Sequence, residues 1–427
     1  MKALQRLKNN MLVHVIGYTG TAGMLRLAVG LVSQKVIAIF LGASGLAVLA
    51  NLRNLIEVLG AFSSFGAQNG IISQTAASES KSAMRALLNT AITLFFGASI
   101  LIGLLVFWQY EWLGLQLQID PKYGLFIQTV AFTIPFMGLM LLMEAVLSGK
   151  KAFKAVSNVQ LLIAAATALL MITLLYFYGL LGALIALLCR PVIGFIFYIY
   201  HLSKARLTVS FFGGFRFDVS RVKDLLPYIF MSLLAIGLVH LVEIYLRGLI
   251  AEKIDLHSAG LWTAMNTISS NYFVFITVIF SFYVLPRFSE NIPNFKLLHE
   301  AKSILKTLLP LVSLAMITVY LFRNPITKLL YSADFISITT LFKWQLSADW
   351  FRVIFLVFGY YLVAKKRIID YVIVELFSFS VLIGLSLYWI DAFGIEGLVM
   401  ANAVRYLGCL VLVVFLLRKK LLRQHGS

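Results

Sequence analysis

Charged side chains stand inside stretches of this sequence that are otherwise apolar, and cations outnumber acids among them. The cations are Arg26, Lys35, Arg53, Arg190, Arg247, Lys343, Arg352 and Arg405; the acids are Glu57, Glu144, Glu243, Asp349 and Glu375. An ionised group at the centre of a bilayer costs about 2.5–3.5 kcal/mol on insertion scales, so such residues face a partner or a wet cavity and not lipid. Arginine gives planar, bidentate hydrogen bonds to phosphate and carboxylate, which suits an anionic solute. A carboxylate in the same setting suits a bound H⁺ or Na⁺.

Spacing sorts these groups. Arg53 with Glu57, Glu243 with Arg247, and Asp349 with Arg352 are three or four residues apart, on one helix face, where ion pairing competes with a cavity role. Arg26 and Arg405 have no acid at that spacing, so local pairing does not account for them. Arg190 is also locally unpaired, and Pro191 beside it is expected to disturb the backbone. A straight helix puts Arg26 and Lys35 on opposite faces, although Gly30 between them is a place to bend. Glu144 and Glu375 fall near span ends, from which they can snorkel. The expected solute-binding residues are Arg26, Lys35, Arg53, Arg190, Arg247, Arg352 and Arg405. The expected ion-coupling residues are Glu57, Glu243, Asp349 and Glu375. No bound cofactor is expected beyond H⁺ or Na⁺.

The elements that position these groups are long apolar helices. Of 427 residues 61% are hydrophobic and 13% charged, with a mean hydropathy of +0.92, outside the range of soluble domains. A span needs roughly 20 apolar residues, and twelve fit: 14–40, 46–73, 86–108, 123–147, 156–177 and 183–202, then 226–250, 259–285, 304–323, 339–363, 371–390 and 395–417. The expectation is an all-α polytopic membrane protein with an N-terminal six-helix lobe (1–203), a cytoplasmic interfacial linker rich in Phe and basic residues (204–225) and a C-terminal six-helix lobe (226–427).

The lobes repeat one pattern. Gly45-Leu46 with Asn51 recurs as Gly260-Leu261 with Asn266, an offset of 215 positions (260 − 45). Lys150-Lys151 and Lys365-Lys366 share that offset, as do Gly179-x-x-Gly182-x-x-x-Ala186 and Gly394-x-x-Gly397-x-x-x-Ala401. Six spans per half make it a parallel repeat about an axis along the membrane normal. Loops on the N-terminal side hold 24 Lys and Arg against 4 on the other, which places both termini in the cytoplasm.

The net charge of +18 is therefore a set of topology anchors and not a nucleic-acid footprint. The first apolar run is too long for a cleavable signal. Cys189 and Cys409 lie within spans and imply no disulfide framework, the six His do not cluster as metal ligands, and no phosphate-binding loop occurs. Outer loops are short, with Glu111 and Asp120 the only acids in one of the longest, about 109–122, which leaves no room for an outer catalytic domain.

A wet, cationic cavity between two repeated lobes suits a bulky anionic solute moved by alternating access. Three stretches carry a family resemblance: Ala50-Asn51-Leu52-Arg53-Asn54-Leu55-Ile56-Glu57-Val58-Leu59-Gly60; Phe280-Ser281-Phe282-Tyr283-Val284-Leu285-Pro286-Arg287-Phe288-Ser289; and Phe342-Lys343-Trp344-Gln345-Leu346 followed by Asp349 and Phe358-Gly359-Tyr360. They resemble the Wzx-type polysaccharide-repeat flippases, which include the O-antigen and enterobacterial common antigen (lipid III) branches. The resemblance implies the multidrug/oligosaccharidyl-lipid/polysaccharide exporter fold, a bacterial inner-membrane location, and an undecaprenyl-pyrophosphate-linked oligosaccharide as substrate. It implies a charged residue at Arg26, Lys35, Arg53, Arg247, Asp349 and Glu375, while Glu57, Lys343 and Arg405 depart from the family's pattern. A polysaccharide polymerase and a chain-length regulator are the implied partners, besides membrane lipid.

Three other readings fit less well. A small-cation drug exporter of the same fold favours unpaired acids, against the eight cations and five acids counted here. A membrane glycosyltransferase or O-antigen polymerase conflicts with the repeat and the short outer loops. A structural scaffold has no use for unpaired arginines in mid-span.

Overall fold

The computed structural model describes residues 11–77, 80–204, 233, 237–280, 284, 288, 297–365 and 367–424. Among the described residues every regular element is helical: α1 (Met11–Ser63), α2 (Gln68–Ala77), α3 (Lys81–Trp108), α4 (Tyr110–Gln116), α5 (Gly124–Gly149) and α6 (Phe153–Lys204), then α7 (Leu238–Lys253), α8 (Leu256–Ile279), α9 (Leu297–Leu321), α10 (Arg323–Leu330), α11 (Phe342–Ala364) and α12 (Ile368–Gln424).

Seven of these are long and apolar enough to cross a membrane, and in three of them the apolar stretch runs to 44, 52 and 50 residues. At 1.5 Å per residue each of the three is about 66–78 Å long, more than twice a hydrocarbon core of about 30 Å. Each is broken once: Gly42 in α1, Gly179 in α6 and Gly394 in α12 take φ of 62°, 57° and 56°, which a Cβ disfavours. In α6 and α12 the break reverses the chain. A Cβ on Gly182 would lie 2.0 Å from the Leu174 carbonyl oxygen, and one on Gly397 2.6 Å from that of Trp389. Residues eight apart in a straight helix are about 12 Å apart, so the two arms of each helix lie side by side. Leu174 and Trp389 themselves differ by 215 positions, so the Gly-x-x-Gly motif is a helical hairpin built twice. With α7 and α8 added, described helices fall on all twelve expected spans.

Two local expectations need correction. Pro191 does not break α6, whose only non-helical residue is Gly179; a membrane helix tolerates the one lost hydrogen bond because neighbouring groups satisfy the freed carbonyl. The expected span 46–73 is not continuous. It stops at Ser63, where the Gly66 N–H bonds to the Ala61 carbonyl and the Phe65 N–H to that of Phe62, a Schellman cap with Phe65 at φ 46°. The chain resumes as α2 at Gln68.

The chain divides into two compact units, residues 1–41 with 48–244, and 42–47 with 245–427. The expected linker lies outside the described residues except for Lys204. In the first unit Phe95 of α3, Leu142 of α5 and Tyr198 of α6 are fully buried against one another's helices. In the second, Phe280, Val353 of α11 and Val413 of α12 do the same. Large apolar side chains such as Leu104, Leu169 and Leu314 stay exposed, as expected of a surface solvated by lipid. Lipid is as apolar as leucine, so helix association depends on close packing and on the polar contacts described next.

Candidate functional site

In the first unit the polar groups form two sets. Arg26, on the first arm of α1, donates to Gln160 Oε1 of α6 at 2.5 Å. Gln160 Nε2 donates to Glu144 Oε1 of α5 at 2.8 Å, and Tyr198 donates to Glu144 Oε2 at 3.0 Å. A neutral amide thus links an exposed arginine to a carboxylate two helices away. Lys35, on the same arm as Arg26, is half-buried.

The second set corrects a spacing argument. Glu57 does not pair with Arg53, one turn away; it takes Arg190 Nη1 of α6 at 3.3 Å. Arg53 is exposed and has no hydrogen bond or ion pair among the described residues. The half-buried guanidinium of Arg190 has more to gain from a counter-charge than an exposed one does, because it has lost more water. Glu243 accepts from Asn54 Nδ2 at 2.7 Å, and Asn54 is itself buried.

In the second unit Asp349 is completely buried on α11. Its Oδ2 accepts from Ser269 at 2.7 Å and from the Tyr272 hydroxyl, both on α8, and Gln345 Nε2 reaches it at 3.2 Å. Arg352, one turn further along α11, acts electrostatically on Asp349 and packs its guanidinium 4.0 Å from the Phe273 ring centre. Beyond it Glu375, on the first arm of α12, one turn from Tyr371, feels the charges of Arg405 and Arg352. Arg405 donates to Ser378 at 2.6 Å and lies 4.8 Å from both Phe379 and Tyr406. The other face of the network is also aromatic, since Arg352 sits 5.8 Å from Tyr406. Two acids and two arginines therefore form one layer, with Asp349 fully buried and the other three half-buried, held by hydroxyls and by ring faces that stabilise partly desolvated guanidinium groups.

Arg247 is 2% exposed; it donates to Thr263 Oγ1 at 3.0 Å and lies 5.7 Å from the Trp262 ring. Lys343 pairs with Glu396 at 3.6 Å. At the head of α8, Asp255 accepts the Ser258 N–H at 2.6 Å, and that bond holds its carboxyl below the usual carboxylate value.

The two polar sets share four positions across the repeat, although Asp349 and Arg352 correspond to Ile134 and Met137. Arg190 and Arg405 differ by 215, as do Gln160 and Glu375, Asn54 and Ser269, and Glu57 and Tyr272. The arginine on the last helix of each unit is kept, but its carboxylate moves: Glu57 on the second span serves Arg190, and Glu375 on the fifth span of its repeat serves Arg405. A search for charges alone missed Gln160, Asn54, Ser269, Tyr272, Gln345 and Tyr198. Carrying each charged candidate across the 215-residue offset finds two of them, Gln160 opposite Glu375 and Tyr272 opposite Glu57, because an ancestral position retains its place in the layer even where its charge is lost.

The fold is shared with two solved membrane-protein structures. An inward-facing MATE family multidrug transporter matches with a TM-score of 0.76 at 12% identity, covering 92% of this chain and 95% of that one. The lipid II flippase MurJ, in an inward closed conformation, matches at 0.72 and 13%, covering 94% and 87%. The chain belongs to the polysaccharide biosynthesis protein family Polysacc_synt_3, whose model matches residues 36–340. Proteins named lipid III flippase from Escherichia coli (strain K12) and from Shigella flexneri are each 28% identical over 397 residues, covering 91% of this chain and 94% of theirs.

Proposed function

We propose that this protein is a flippase that turns an undecaprenyl-pyrophosphate-linked oligosaccharide, of the O-antigen or enterobacterial common antigen type, from the cytoplasmic to the outer leaflet of a bacterial inner membrane by alternating access. The observation that carries the reading is similarity to lipid III flippases along nearly the whole of both chains. The physics of such a substrate fits the residues. Its polyprenyl tail stays in lipid, whereas pyrophosphate and sugars cannot cross hydrocarbon unless their water is replaced by donors and acceptors. Arg26, Lys35, Arg53, Arg190, Arg247, Arg352 and Arg405 supply donors for the pyrophosphate. Glu57, Glu243, Asp349 and Glu375 supply carboxylates for coupling to H⁺ or Na⁺. Both termini lie in the cytoplasm, and a polymerase and a chain-length regulator act on the product.

Complementation tests this in a bacterial strain lacking its own repeat-unit flippases, with the polysaccharide ladder read on a gel. Wild type restores the ladder and Arg26→Glu, present at normal abundance, does not. A ladder from Arg26→Glu removes that residue from the substrate path. No ladder from well-inserted wild type, with any candidate repeat unit, overturns the substrate class.

A further inference from the structure

The break in the second span has a small polar cavity beside it. It measures about 70 Å³ and lies within the first unit, walled by Glu57, Gly60, Ser64, Gln68, Asn69 and Met137. A water takes up about 30 Å³ of liquid, so there is room for roughly two waters or for the hydroxyl-bearing edge of one sugar ring. Ser64 is already committed, its hydroxyl donating to the carbonyls of Gly60 and Ala61. The carboxamides of Gln68 and Asn69 are not: neither makes a hydrogen bond among the described residues, and Asn69 is exposed at the mouth. The first turn of α2 adds backbone N–H groups that have no partner within their own helix.

The mixture of groups narrows the ligand. Glu57 disfavours a phosphate, and Arg190, paired with it at 3.3 Å, disfavours a metal cation. Two neutral amides, each both donor and acceptor, beside a carboxylate and over the thioether of Met137, match a group that is itself donor and acceptor on an apolar ring: a sugar hydroxyl edge. Broken membrane helices are also where transporters place their binding sites. We infer that the break between α1 and α2 is a sugar-recognition subsite, with Gln68 and Asn69 reading hydroxyls of the head group. This rests on the flippase reading and adds to it the residues that distinguish a glycosylated substrate from its bare carrier.

The test is equilibrium binding to the full-length protein in nanodiscs of two probes, undecaprenyl pyrophosphate bearing a single hexose and undecaprenyl pyrophosphate alone. Wild type is expected to prefer the glycosylated probe by tenfold or more, about what one or two hydrogen bonds supply. The Gln68→Leu/Asn69→Leu variant should bind both probes alike, at the wild-type affinity for the bare carrier. Gly60→Ala gives an independent arm without altering a polar group, because its Cβ would lie 2.1 Å from Met137 Cε and drive the thioether to move; it too should lose the preference. If the double variant loses both probes through misfolding, Gly60→Ala decides. Preference retained in a folded variant overturns the subsite. Equal binding of both probes by wild type overturns it while leaving the flippase reading standing, and binding of neither overturns both.

Discussion

Asp349 offers the sharpest separation of structural from coupling roles. In Asp349→Ala the buried donors Ser269 and Gln345 and the half-buried Tyr272 lose their acceptor. A buried polar group left unpaired costs about 1–3 kcal/mol, so the two fully buried donors predict a loss of about 2–6 kcal/mol, with the half-buried Tyr272 hydroxyl adding to it. Asp349→Asn keeps shape and a carbonyl acceptor and loses mainly the charge assistance, about 1 kcal/mol for each of the three bonds. Its new amide hydrogens also find an acceptor, because Gln345 Oε1 has no partner in the wild-type structure. The Asn variant should therefore fall about 2–3 kcal/mol below wild type, and the Ala variant clearly further. Denaturation of the purified protein in mixed micelles, with transport measured in vesicles under an imposed H⁺ or Na⁺ gradient, checks both halves. The coupling role predicts that Asp349→Asn folds but no longer responds to the gradient. Equal stability of Ala and Asn variants would refute the hydrogen-bond accounting; a normal gradient response from Asp349→Asn would remove Asp349 from coupling.

Reversing Arg190 to Glu places like charges 3.3 Å apart in the wild-type geometry; it should lower abundance and abolish transport, while Glu57→Arg/Arg190→Glu recovers abundance, as read on immunoblots. Gly182→Ala drives a Cβ to 2.0 Å from the Leu174 carbonyl oxygen and should prevent the hairpin in α6 from closing, seen as loss of monodisperse protein on size exclusion. Gly394→Ala places a Cβ at φ 56°, ψ −140°, at a cost of about 1–3 kcal/mol, and should be the milder of the two. Asp255→Ala removes the cap of α8 and should cost about 1 kcal/mol. Because the folded carboxyl sits below its ordinary value, that contribution is present above the ordinary carboxylate range and is lost as pH falls through the depressed value, which a denaturation series on wild type and Asp255→Ala checks.

The apolar helices, their doubling and the charged positions are legible in the order of residues alone, because hydropathy and helical periodicity are local properties and an offset of 215 survives divergence. The Gly179 and Gly394 motifs are legible as paired signals, although it is the packing of their arms that makes them hairpins. What local reading did not determine was partnership. Spacing put Glu57 with Arg53, and tertiary structure gave it Arg190, 133 positions away. Spacing left Arg26 without a counter-charge, and tertiary structure tied it through Gln160, 134 positions away, to Glu144. A helix fixes which residues share its face, but the energy of a buried charge depends on what the neighbouring helices present to it, and that is decided only when they pack.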